Sequence, residues 1–158
     1  MAAQVWPLLV FLGVFLAVAL AWFARSGDSV PAEMAWSLFK AATLGVVGSY
    51  ALHESAHVVV LKRIPTVTHL RLDRALWRTS VRAEGTLTAR QIVAVAMAGP
   101  LACVMVGGVL WVSALDRALA WWFLAHGLLL LPFFGDGRSI IRGLRASWSR
   151  PAKENDPD

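Results

Sequence analysis

Four apolar stretches, each near the length that crosses a bilayer, restrict the fold of this 158-residue chain more than any other feature. They run from about Trp6 to Ala24, Met34 to Leu61, Gln91 to Ala114 and Arg117 to Phe134. A spanning helix needs about 20 predominantly apolar residues. Hydrophobic residues make up 58% of the chain and its mean hydropathy is +0.60, whereas an ordinary soluble domain is about 45–50% apolar. The predicted fold class is an all-α membrane protein with four transmembrane helices. Its length suits one domain, residues 1–150, followed by a disordered tail at 151–158. Ala19-Leu20-Ala21 resembles a signal-peptide cleavage site. No Lys or Arg precedes the first apolar run, however, where a signal peptide carries positive charge, so a retained helix is expected. Cys103 is the only cysteine, and an intramolecular disulfide is excluded.

The charge pattern sets an orientation. Lys62, Arg63, Arg71, Arg74, Arg78, Arg82 and Arg90 lie between the second and third stretches, and Arg138, Arg142, Arg145, Arg150 and Lys153 follow the fourth. Those twelve of fifteen basic residues fall on one side of a four-span chain, with both termini. The positive-inside rule makes that side cytoplasmic. The net charge of +5 and pI near 10.4 therefore read as topology signals and the lipid bilayer as the partner. Nucleic acid is not expected.

Within the basic loop, Trp77, Thr79, Val81 and Ala83 alternate with Arg78, Ser80, Arg82 and Glu84, the period of a strand. A weaker strand over Thr66–Asp73 and a turn over Asp73–Leu76 complete a short cytoplasmic-side β-hairpin between helices 2 and 3. Its arginines can meet headgroups, and its edge can receive an extended chain by β-augmentation. Over about 138–148, Ile140, Ile141, Leu144 and Trp148 recur among arginines, predicting an amphipathic interfacial helix.

The second stretch carries His53-Glu54-Ser55-Ala56-His57. Two histidines four apart on a helix differ by about 40° in azimuth and about 6 Å along the axis, so both can reach one metal ion. The glutamate between them can reach that ion's water, an arrangement that suits hydrolytic zinc sites. Residue frequencies give roughly 0.0025 chance occurrences of the pattern in such a chain. A charged group at the centre of a spanning helix costs on the order of 3 kcal/mol, so a cluster of ionisable groups there calls for a ligand. The bland alternative is a polar cluster that ties helices together. Stepping back by four from His57 gives His53, Ser49, Gly45 and Ala41, a small-residue face that allows close helix approach. On the third helix Gly99, Cys103 and Gly107 form one such face, and Ala94, Ala98 and Ala102 another.

A hydrolytic zinc site takes a third protein ligand and leaves one position open. His69, His126 and Asp136 are the candidates. His57 lies five residues before Lys62, about 7–8 Å from the cytoplasmic end of its helix, and Asp136 lies at that same end between Gly135 and Gly137. His126, ten residues earlier, would be about 15 Å away along a regular helix. Asp136 is thus the expected third ligand. His126 is expected to pack or hydrogen-bond, with a role behind the ligands left open.

The motifs together resemble the site-2 protease family of intramembrane zinc metalloproteases. The resemblance spans residues 53–137 and rests on His53-Glu54-Ser-Ala-His57, Ala98-Gly99-Pro100 and Leu130-Leu131-Pro132-Phe-Phe-Gly-Asp136-Gly137. It implies one Zn2+ per chain held by His53, His57 and Asp136, with Glu54 as general base. The substrate would be a membrane-spanning or membrane-anchored protein cut near the cytoplasmic face, and a regulatory partner is conceivable. It further implies a minimal core with one extra N-terminal helix and no PDZ-like domain. Two departures stand out: Cys103 and the leucines at 128–131 stand where family members often carry asparagines that would assist substrate or oxyanion binding. The alternative to an intramembrane endopeptidase is a non-proteolytic relative that keeps the zinc site for structure or partner binding. A metal carrier is a third class, disfavoured because the polar residues form one station only.

Overall fold

The computed structural model describes residues 2–75 and 78–148, with side chains over 5–69 and 84–148. The elements are α1 (Ala2–Ser26), α2 (Val30–Lys40), a π-helical segment (Ala41–Gly48), α3 (Ser49–Lys62), β1 (Val67–Ala75), β2 (Arg78–Gly85), α4 (Ala89–Val112), α5 (Arg117–Leu124), a 3-10 segment (Ala125–Leu130) and α6 (Gly135–Trp148). Four helical stretches are long and apolar enough to cross a membrane: Val5–Ser26, Val30–Lys62, Ala89–Val112 and Arg117–Trp148. The all-helical reading with one small hairpin is borne out at that level.

Small residues supply much of the interior, with Leu12, Leu61, Ile64 and Phe123 among the few large apolar side chains buried there, and most large apolar residues face out. Ala35, Cys103 and Ala120 are fully buried, whereas Phe11, Val14, Val18, Trp22, Met105 and Val109 are exposed. Small residues let helices approach closely and gain dispersion contacts, a pattern common among helices packed in apolar surroundings. Ala19 of α1 packs on Ala32 and Ala35 of α2 with Leu16 beside them.

The face of small residues stepping back from His57 is real: Gly45, Ser49 and His53 are buried. On α4 the Gly99, Cys103 and Gly107 face is buried with Ala96 and Pro100. The second predicted face is not, since Ala94 is exposed. A capping box starts α4: Thr88 accepts from the Gln91 amide, and the Gln91 side chain accepts from the Thr88 amide at 2.8 Å.

Two expectations need correction. The hairpin strands run further than the sequence suggests, because Asp73, Arg74 and Ala75 pair with Ser80, Thr79 and Arg78. The connection thus falls on residues 76–77, outside the described residues. Trp77 and the side chains of 70–83 lie outside them too, as does the tail at 151–158. The fourth stretch, expected as one helix over 117–134, is broken. Leu131 is extended at ψ 148 ahead of Pro132, where a proline's ring disfavours helical geometry in the residue before it. The amphipathic helix then starts at Gly135, not 138.

Candidate metal centre

On α3, His53 is 4% exposed and His57 half-buried. Their rings meet edge to face at 4.6 Å between centroids, and their Nε2 atoms are 3.0 Å apart. Glu54 is half-buried on the same helix, about 60° in azimuth from His57. The break after Leu131 brings in the third group. Asp136 lies in the first turn of α6, with Oδ2 3.2 Å from His53 Nε2 and Oδ1 3.7 Å from His57 Nε2.

Neither glycine beside Asp136 takes a positive φ, and Gly137 acts by fit. A Cβ on Gly137 would collide with the Leu131 carbonyl, so glycine alone lets α6 start against the end of the 3-10 segment. Gly99 does the same on α4, where a Cβ would sit 2.6 Å from His57 Nε2 and 2.8 Å from His53 Cε1. The backbone of α4 therefore walls one side of the cluster. One turn earlier on α4, the Val95 carbonyl lies 2.6 Å from His57 Nδ1. A carbonyl only accepts, so Nδ1 carries the proton and Nε2 keeps its lone pair.

His53, His57 and Asp136 thus offer three ligand atoms converging on one point. Tetrahedral zinc with bonds of about 2.0–2.1 Å separates its ligand atoms by about 3.3–3.4 Å. The separations of 3.0, 3.2 and 3.7 Å bracket that value. Imidazole lone pairs and carboxylate oxygens this close repel unless a proton or cation lies among them. The donor set and the His57–Val95 bond, which fixes a ligand's tautomer from behind, both fit zinc.

Two further side chains lie near this centre. His126, expected to pack or hydrogen-bond, does both: it lies in the 3-10 segment with its ring centroid 5.4 Å from that of His53. Its Nδ1 bonds the Trp122 carbonyl at 3.0 Å. Cys103 bonds the Ser49 carbonyl at 3.3 Å, and with His53 and His126 it forms a second group able to hold a metal ion. The four-residue spacing from Gly99 to Cys103 was the one sequence signal for this. His69 is exposed on β1, paired opposite Glu84, and belongs to neither group.

At the other end of α2, Lys40 Nζ lies 2.5 Å from Asp116 Oδ2. Asp116 also caps α5 by accepting from the Leu119 amide at 2.9 Å. The Lys40 hydrogen bond first, and then that amide, hold its carboxyl below the usual range.

Compared with protein-family models, curated proteins and solved structures, the chain matches none.

Proposed function

We propose that this chain is an intramembrane zinc endopeptidase of the site-2 protease type, cutting a membrane-spanning or membrane-anchored protein near the cytoplasmic face. The observation that carries the reading is the convergence of His53 Nε2, His57 Nε2 and the Asp136 carboxylate at zinc-ligand separations, with Glu54 beside the first histidine. The apolar outer surface and four spanning-length helices support a multi-pass membrane protein. Twelve of the fifteen basic residues support both termini being cytoplasmic.

His53, His57 and Asp136 would hold the ion, which would supply Lewis acidity at the site. Glu54 takes the proton of the attacking water and returns it to the leaving amine. Val95 holds the His57 ring in its ligating tautomer. Substrate must be extended for this, because a helix ties up its carbonyls. The β1–β2 hairpin is a two-stranded sheet, and an outer edge of it can pair an extended segment by strand addition.

The test is Glu54→Gln, compared with wild type by zinc analysis and by profiling membrane-protein fragments in cells. Equal zinc and loss of a fragment set support the reading. An unchanged fragment set refutes it. One observation favours a non-proteolytic relative: the Cys103 thiol is engaged with Ser49, so no asparagine-like donor stands there. Under that reading Glu54→Gln leaves the cellular phenotype intact and His53→Ala abolishes it.

A further inference from the structure

We propose that His53, Cys103 and His126 form a second metal site, selective for a thiophilic d10 ion such as Zn2+ or Cd2+, sharing only the His53 imidazole with the first. Three observations meet there. Each residue brings one ligand atom within 4.8 Å of the others. His53, 4% exposed, has an Nδ1 that is buried and lacks a hydrogen-bond partner among the described residues. Buried polar atoms of that kind are rare and call for an explanation. The neighbours also leave ligand atoms free. Cys103 spends its S–H on the Ser49 carbonyl at 3.3 Å and His126 spends Nδ1 on the Trp122 carbonyl at 3.0 Å. A sulfur lone pair and the second His126 nitrogen remain.

The two sets differ in chemistry. His53, His57 and Asp136 offer two nitrogens and a carboxylate, whereas the second set offers a sulfur and two nitrogens, the softer combination. They also differ in readiness. The first set is already at tetrahedral separations, whereas the second binds only as protons leave its sulfur and its bridging imidazole. The second site therefore fills after the first. With His53 bridging, the incoming ion displaces one proton from Cys103 Sγ and one from His53 Nδ1. Two protons leave as the metal–sulfur and metal–nitrogen bonds form.

Cobalt titration of the purified full-length protein tests this, because Cys103 is the only cysteine and only it can give a thiolate-to-cobalt charge-transfer band. The band should be absent at the first equivalent of Co2+ and appear with the second. Cys103→Ser should abolish it while keeping the d–d spectrum of the first site, which shows that the variant is folded. His126→Ala should require at least about tenfold more Co2+, since even partners behind a ligand are worth about 10–100-fold in affinity. Asp136→Asn should keep the band although the first set is broken, so failure of the zinc-protease reading leaves this result standing. No band up to several equivalents overturns the proposal. So does a His126→Ala titration that superimposes on wild type.

Discussion

His57 Nδ1 lies 2.6 Å from the Val95 carbonyl, and this contact between α3 and α4 decides which ring nitrogen faces Asp136. The lone pair it frees on Nε2 is 3.0 Å from that edge of His53. In the proposed centre metal affinity would be coupled to helix packing: whatever pushes α4 away from α3 also misaims His57.

Gly99→Ala is the direct test of that coupling. The added methyl would stand 2.6 Å from His57 Nε2 and 2.8 Å from His53 Cε1, and neither ring can yield without losing its partner. We expect a loss of about 1–3 kcal/mol in stability from overpacking and a fall in zinc affinity of about 10–100-fold. Thermal unfolding and zinc content in detergent measure both. Wild-type zinc retention would refute the close approach of α4.

Asp136→Asn separates ligation from folding. The amide keeps the shape of a side chain that lies 23% exposed but removes the charge, and zinc affinity should drop by at least about tenfold. The helical circular dichroism should be unchanged. Full zinc occupancy at limiting metal would show that Asp136 is not a ligand.

Gly137→Ala should reproduce much of that loss without touching a donor atom. Its Cβ meets the Leu131 carbonyl, so the first turn of α6 must move and carry Asp136 with it. Zinc titration measures the loss, and wild-type affinity would show that this contact does not position Asp136.

The Lys40–Asp116 pair predicts an acid-side loss of stability. The folded-state pKa of Asp116 is depressed, so the pair's contribution is fully present above the unfolded carboxylate value of about 3.9. It is lost as pH falls through the lower folded value. The melting-temperature gap between wild type and Asp116→Asn should be constant above about pH 5 and shrink below about pH 4. Asn keeps a capping oxygen for α5, so a gap that persists at the lowest pH would refute the ion pair as its cause.

Hydropathy and period were enough to read the spanning-length helices, the hairpin, the helical pair His53 and His57, and Asp136 as the candidate third ligand. These features are local or follow from a regular repeat. That the His126 ring meets His53 was not legible, because depth along one helix does not say which neighbouring helix a ring faces. The proline marks a stop at Leu131, but the direction the chain takes afterwards depends on packing. Gly143 of α6 is buried against α4, where a Cβ would meet Val93 at 2.7 Å. The close fits of Gly99 and Gly137 likewise depend on which neighbour arrives. Sequence therefore determined the candidate ligand types and the helices that carry them. Tertiary structure decided that the broken fourth stretch brings Asp136 to one side of the cluster and His126 within reach of His53, because contacts between helices, unlike the repeat within one, are written in two segments at once.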